Sequence, residues 1–531
     1  MYTRVVKGRN KDGSSRYYLQ LVESHRENGK VRQELIHSIG RLDILQASGG
    51  LDRLIASLAR HSEKCWVEAE AGGLLSWAKT YGPALVFRRL WEDLGFSRQF
   101  ALLQSASDVR FSIDETAFAM VLHRLLDPGS KRATHRWLET VYRPEFESLE
   151  LQHLYRVLDH LVKGKEVLED ALFSRNRDLF SLEVDLVLFD TTLVHFEGQG
   201  PEGLATQARP GNYPDCVKVL VGLVMTGNGF PVAHHIFPGN TADIDAFRAA
   251  IKDLKQRFSI RRVVIVADRG MVSEKLMEEL EKETQGQQKV DYILGMRLRK
   301  SREVSEEVLR RAGRYHEIAD NLKVKEVRIG DHRYVVCHNP EEEERDRKRR
   351  EEIIERTRED LNRKGAKAFI MPRGLRRFVE LVSGELVLKE AAVREEVRYD
   401  GKWVLRTSTE LPAAEVALAY KSLWQIEHAF RELKSGLEIR PVFLRTEDHV
   451  RGHLVVCFLA LVLEAALIRL LKAQGSSGSY RDVLTDLEQM RAVRFETRGK
   501  TWLWRTELTG QAYDAFRAAG MRPPARVQPF A

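Results

Sequence analysis

Two uninterrupted apolar runs, each closed by an aspartate, constrain this chain most: Leu186-Val-Leu-Phe-Asp190 and Val263-Val-Ile-Val-Ala-Asp268. Such runs, without alternation, predict strands buried on both faces. Between them lie two more strand-like stretches, Val217 to Met225 and Pro231 to Phe237, joined by the turn signal Gly227-Asn228-Gly229. A helix is expected from Asp243 to Phe258, and another from Ser273, which can serve as its N-cap. Three antiparallel strands, a helix and a strand parallel to the first make an α/β core. Open α/β sheets place their chemistry at the carboxyl ends of strands, where Asp190 and Asp268 fall. Either Asp also suits the start of a turn or a helix cap.

A third carboxylate sits in a helical pattern. From about Leu411, apolar residues recur at Val416, Ala419, Tyr420, Leu423, Trp424, Phe430 and Leu433, and Glu427 falls within that stripe. The period predicts Glu427 on a buried face, where a carboxylate costs several kcal/mol unless compensated. Tyr420, Glu427 and Lys434 are spaced by seven, so they project from nearly one side. Compensation can come from Lys434 or Arg431, or from a metal ion shared with other carboxylates. Two strand-end Asp and one Glu suffice for one or two Mg²⁺, which could activate a water or a 3′-hydroxyl in phosphodiester chemistry.

The 531 residues suggest three or four domains. Residues 1–45 read as a basic β-hairpin arm, with nine Lys/Arg against five Asp/Glu and strands around Asn28-Gly29. It suits phosphate contact or a solvated surface equally. Residues 46–180 read as helical, a candidate for DNA binding or dimerisation. Residues 181–297 and 411–474 read as two parts of the α/β core. Residues 298–410 read as a β-rich insertion around a charged helix, 341–364, with nine basic and ten acidic residues. The i,i+4 pairs Glu343–Arg347 and Glu344–Lys348 would support that helix. Residues 475–531 read as a basic helical tail containing Trp502 and Trp504. The net +8 resides at the ends: +4 in the first 45 residues and +5 in the last 43. Four scattered Cys (Cys65, Cys216, Cys337, Cys457) argue against a disulfide framework or zinc ribbon. The N-terminus lacks a signal-peptide pattern, and the apolar run Leu454–Leu463 is too short to span a bilayer. A cytoplasmic protein with no membrane partner is expected. His195, His234 and His235 show no metal-ligand spacing, and His453 suits a polar network within helix packing.

Several segments, in order, resemble a family. Tyr420-Lys-Ser-Leu-Trp-Gln-Ile-Glu427-His-Ala-Phe-Arg-Glu-Leu-Lys434 is similar to the signature Tyr, two residues, Arg, three residues, Glu, six residues, Lys. That signature marks DDE transposases of bacterial and archaeal insertion sequences, in the IS-four-like branch with a β-rich insertion. The signature's Arg position holds Leu423. Leu188-Phe-Asp190-Thr-Thr, Phe237-Pro-Gly-Asn-Thr241-Ala-Asp243, Val266-Ala-Asp268-Arg-Gly-Met, Asp400-Gly-Lys-Trp-Val-Leu-Arg406 and Arg451-Gly-His453 resemble other segments of that family. The resemblance spans roughly 183–470. It implies an RNase H-like mixed sheet of the retroviral-integrase type, interrupted by the insertion. It also implies that Asp190, Asp268 and Glu427 form a catalytic triad holding Mg²⁺, for which Mn²⁺ may substitute. Tyr420, Lys434 and Arg431 would contact DNA, and Trp403 could receive a flipped base, although a Trp in a hairpin also suits a core. The implied partners are double-stranded DNA, as terminal inverted repeats and target, and a second copy in the DNA complex. The implied activity is strand cleavage and transfer, in a prokaryotic cytoplasm at the nucleoid. An inactive DNA-binding descendant and a metal-dependent nuclease on the same fold are the alternatives.

Overall fold

The five strands that carry the apolar runs form the centre of one mixed sheet in a computed structural model. The structure describes residues 2–9, 15–27, 30–51, 53–54, 74–179, 185–207, 217–257, 262–268, 277, 289–364, 378–382, 385–440, 442–497 and 499–530. The Asn28-Gly29 turn, Arg269-Gly270, the start of the helix expected from Ser273, Cys65 and Cys216 lie outside them. The described chain divides into two compact units. One comprises residues 1–79, 490–508 and 522–531, and the other 80–489 and 509–521.

In the larger unit, helices α1 (Gly82–Asp93), α2 (Phe96–Ser105), α3 (Ile113–Leu126), α4 (Lys131–Trp137) and α5 (Leu151–Leu179) precede the sheet. Ser112 caps α3 by accepting the Glu115 N–H at 3.1 Å, and Asp114 and Glu115 lie in its first turn, where the helix dipole favours them. The core strands are β1 (Asp185–His195), β2 (Val217–Thr226), β3 (Pro231–Pro238), β4 (Arg262–Ala267) and β5 (Lys289–Gly295), with helix α6 (Asp243–Arg257) between β3 and β4. Their order is 3-2-1-4-5. β2 runs antiparallel to β1 and β3, while β1, β4 and β5 run parallel. This is the RNase H-like arrangement. Phe189, Val264, Ile265 and Val266 are all 1% exposed or less, as strands covered on both faces require.

The insertion does not stand apart from this sheet. β6 (His316–Ala319), β7 (Leu322–Ile329), β8 (His332–His338) and β9 (Lys402–Thr407) continue it beyond β5 in the order β6-β7-β8-β9-β5. The β-rich insertion expected over 298–410 thus extends the core sheet. The two edges that meet, β5 and β9, are more than a hundred residues apart in sequence, too far for local patterning to show their pairing. Helix α7 (Pro340–Lys364) lies between β8 and β9. Lys348 pairs with Glu344 at 3.4 Å as expected, but Glu343 takes His338 at 2.8 Å, and Arg347 bonds Glu344 and Glu351 instead.

Helices α8 (Ala413–Lys421) and α9 (Trp424–Arg431) and a π-helical turn, Glu432–Gly436, follow. Then comes α10 (Glu447–Ala473), long and apolar enough to cross a membrane by length and composition, yet packed on α5, α3 and β3 as a core helix. α10 crosses α5 at Gly452, where a Cβ would lie 2.5 Å from the Leu158 carbonyl oxygen. A buried charge network joins α5 to β3 and α6. Glu169 accepts from the His234 backbone N–H at 3.0 Å, Lys165 at 2.8 Å and Arg257 at 2.9 Å. His234 thus belongs to the core, as its sequence context indicates.

The smaller unit holds two sheets. Strands Tyr2–Arg9, Ser15–Glu27 and Lys30–Arg41 form an antiparallel three-stranded sheet, so the N-terminal arm has one strand more than a hairpin. Strands Val527–Pro529, Lys500–Arg505, Arg491–Thr497 and Leu74–Thr80 form the second, in that order. The expectation of a helical tail over 475–531 is corrected here. Trp502-Leu503-Trp504 alternates about the buried Leu503, a strand's period of two, although helices Tyr480–Gln489 and Ala512–Ala518 also occur. The strand Leu74–Thr80 likewise interrupts the region expected to be helical over 46–180.

Candidate active site

Parallel pairing of β1 and β4 aligns Leu186 with Val264 and Leu188 with Val266. Two residues beyond the last recorded pair, that register points Asp190 and Asp268 at each other across neighbouring strands, which lie roughly 4.8 Å apart. The Asp190 carboxylate accepts the Thr191 N–H at 2.7 Å. Burial pushes its pKa up to about 6, and the charges of Asp268, Glu427 and Asp243 push in the same direction against that hydrogen bond. Four carboxylates therefore share one electrostatic neighbourhood, with Asp190 the least solvated.

Asp268 is exposed, and its Oδ1 accepts the Tyr420 hydroxyl at 2.8 Å. That contact needs the glycine at the end of β5, because a Cβ on Gly295 would collide with the Tyr420 hydroxyl. Lys434 is half-buried. Burial and the nearby Arg440 charge lower its ammonium pKa, while Asp190 raises it. The spacing of seven thus brings Tyr420, Glu427 and Lys434 towards Asp268 at the end of β4 and Asp190 in the middle of β1, which runs on to His195; the expectation of Asp190 at a strand end is corrected.

Glu427 is not on a buried face, and that expectation is corrected. Ile426, Ala429, Phe430 and Leu433 are buried, whereas Glu427 is exposed and Trp424 is 57% exposed. The helix is broken between α8 and α9 at Ser422 and Leu423. There Leu423 N–H bonds Tyr420 O, Gln425 N–H bonds Ser422 O and Ile426 N–H bonds Leu423 O. These i→i−3 bonds tighten the turn and rotate the following residues relative to a continuous α-helix. Glu427 accordingly needs no compensating cation.

The donor set is all carboxylate oxygen, the chemistry hard divalent cations prefer. Among the described residues no three His, Cys, Asp or Glu side chains close around a single point as a metal site. The charges gathered around Asp190 and the accessibility of Asp268 and Glu427 nevertheless fit a cation bound between them.

Residues 184–463, more than half of the chain, match the family described as "Transposase DDE domain", and residues 3–71 match "IS1634 family transposase, N-terminal domain". The chain belongs to the DDE-domain transposase family. No curated protein matches the transposase. Among solved structures, it is similar to a piggyBac transposase synaptic complex with hairpin DNA, at 10% identity and TM-score 0.40, covering 79% of this chain and 82% of that one. It is also similar to a Mos1 transposase paired-end complex with left transposon end, at 13% identity and TM-score 0.15, covering 45% and 65%. At these scores neither likeness carries an argument; the strand order carries the fold.

Two candidates are not brought into this group. Arg431 is exposed, with no ion pair among the described residues. Trp403 lies half-buried on β9 opposite Cys337 of β8, its indole Nε1 buried and unpartnered among the described residues. Two other residues join the transposase site without having been singled out as site residues. Asp243, at the start of α6, accepts the Thr191 hydroxyl at 2.8 Å. Its signal was its place at the end of Pro238-Gly-Asn-Thr-Ala-Asp243, a motif read only as a loop. Arg440 follows the π turn, and its charge reaches both Lys434 and His195, whose pKa is lowered by burial, Lys218, Arg440 and Lys434.

Proposed function

We propose that this transposase binds the terminal inverted repeats of an IS-four-like insertion sequence. It hydrolyses a phosphodiester at the element end and joins the freed 3′-hydroxyl to target DNA. Asp190, Asp268 and Glu427 are the catalytic carboxylates and hold Mg²⁺, with Mn²⁺ as a substitute. The supporting observation is the raised pKa of Asp190 amid three other carboxylates, a concentration of negative charge that a divalent cation relieves. A divalent ion bound there supplies activation of the attacking hydroxyl and stabilisation of the leaving oxygen. Tyr420 orients Asp268 through its hydroxyl. Lys434, a point charge beside Asp190, and Arg440 are suited to the phosphates flanking the reacting bond. Arg431 and Trp403 are assigned to DNA further along the strand. The protein acts as a dimer on paired ends, in the cytoplasm.

The test uses purified protein, Mg²⁺ or Mn²⁺, and DNA carrying candidate terminal repeats. Nicking at the element end followed by joining is expected, and Asp190→Asn or Glu427→Gln should abolish both. Unchanged cleavage by either variant sinks the site assignment. Cutting that is never followed by joining identifies a nuclease instead.

A further inference from the structure

The turn that follows Lys434 is held by Arg124 and His453, neither of which has a carboxylate partner among the described residues. Arg124 of α3 is 6% exposed. Its guanidinium donates to the carbonyl oxygens of Leu437 at 3.4 Å, Glu438 at 3.3 Å and Gly129 at 2.8 Å. His453 of α10, 5% exposed, places Nε2 3.4 Å from the carbonyl oxygen of Ile439. Lys131 of α4, 6% exposed, places Nζ 3.2 Å from His453 Nδ1. With Lys131 donating to Nδ1, the imidazole carries its proton on Nε2 and donates it to Ile439.

A buried cation without a counter-charge is costly. Here backbone carbonyl oxygens supply the compensation, the first of them on Leu437, which caps the helical segment ending at Gly436. These carbonyls are consecutive. Leu437, Glu438 and Ile439 lie three to five residues beyond Lys434 and immediately before Arg440. The turn itself is irregular. Leu437 N–H bonds Glu432 O at 2.7 Å, Ile439 N–H bonds Leu433 O at 2.8 Å, and Glu438 has φ +43°. A non-glycine residue in the left-handed region persists where its surroundings hold it. α3, α4 and α10 provide those surroundings.

We propose that Arg124 and His453 are positioning residues for the candidate active site: by holding three successive carbonyls they fix the π turn that presents Lys434 beside Asp190. The inference rests on the reading of Lys434 as a phosphate-binding residue. Arg124 and His453 touch no reacting atom in this scheme, and a loosened clamp changes where Lys434 stands.

The experiment is a double-mutant cycle on single-turnover cleavage of end DNA by the full chain. Arg124→Met should slow cleavage at saturating DNA by on the order of 10²-fold, the cost of a small misplacement at a reacting centre. Arg124→Lys, which retains the charge but fewer donors, should fall between. In a Lys434→Met background, Arg124→Met should slow cleavage by less than about 2-fold further, because the group it positions is gone. A merely structural Arg124 would impose the same fold-loss in both backgrounds, and that result overturns the inference. If Arg124→Met fails to fold, the cycle is run with Arg124→Lys and His453→Gln, with the same outcomes decisive. Absence of cleavage by the unaltered protein would refute the proposed activity instead, so the two failures are distinguishable.

Discussion

Replacing Asp190 by Asn should abolish DNA cleavage and, in the absence of divalent ions, stabilise the protein. The Asp190 carboxyl has an ordinary value of 3.8 and rises to about 6 in the fold. The folded form therefore binds the proton more tightly than the unfolded form. Its ionisation begins to cost stability as the pH rises above about 4, and the cost levels off above about 6. A gap of this size corresponds to at most about 3 kcal/mol at neutral pH. Asn keeps the side-chain shape, can still accept the Thr191 N–H, and carries no charge. At roughly 2 cal/mol/K of unfolding entropy per residue, the gain amounts to about 3 °C for a unit of several hundred residues. The assay is thermal unfolding of both proteins in chelator, from about pH 4 to about pH 8. The variant should melt higher at neutral pH, and the two curves should converge near pH 4. Added Mg²⁺ or Mn²⁺ should raise the unaltered protein and leave the variant unmoved. A variant that melts at or below the unaltered protein at neutral pH, or a gain independent of pH, would refute the argument that Asp190 bears uncompensated charge.

Three further outcomes follow from contacts already described. Tyr420→Phe removes the hydroxyl from Asp268 and should slow cleavage about 10- to 150-fold, in line with a charge-assisted hydrogen bond of roughly 1.5–3 kcal/mol, while gel-shift affinity for DNA is unchanged. Glu169→Gln should destabilise the fold by about 3 kcal/mol at neutral pH, because Lys165 loses its carboxylate and Arg257 is left with Asp170 and Asp253 alone. Because its folded pKa is depressed well below 4.5 by Lys165 and His234, the stability Glu169 contributes is present above about pH 4.5 and lost on acidification, so the acid limb of a denaturation profile should flatten in that variant. Arg350 and Asp400 form a buried ion pair between α7 and the start of the β9 hairpin. Arg350→Leu alone should cost about 3–5 kcal/mol in chemical denaturation, and Arg350→Leu with Asp400→Leu much less.

The catalytic sheet was legible because its strands are buried on both faces and so carry unbroken apolar runs. The Asp closing each run was legible too, but only Asp268 follows the end of its strand, whereas β1 continues past Asp190 to His195. What escaped the sequence has long-range partners. β9 gains its meaning from β5 and β8, and Trp502-Leu503-Trp504 belongs to a sheet whose edge strand, Leu74–Thr80, comes from some four hundred residues away. Arg124 was harder still, since its partners are backbone carbonyls 313 and 314 residues on, which have no residue-type signature.

Glu427 shows how the spacing argument led to the right neighbourhood from a mistaken premise. An unbroken α-helix would carry Glu427 along the buried stripe. The tightened turn at Ser422–Leu423 advances the rotation and leaves Glu427 open to solvent. An uncorrected advance would also carry Lys434 away from Asp190. The π turn at Glu432–Gly436, with its i→i−5 bond from Leu437, rotates less per residue and so turns the chain back in the opposite sense. The two irregularities offset each other over the fourteen residues from Tyr420 to Lys434. Both ends of the signature therefore reach the two aspartates, Tyr420 at Asp268 and Lys434 near Asp190. Regular helix geometry would give the same sevenfold spacing without the accessible carboxylate between them. On this reasoning, departures from regular helix geometry are part of what makes the candidate site reachable by a phosphodiester.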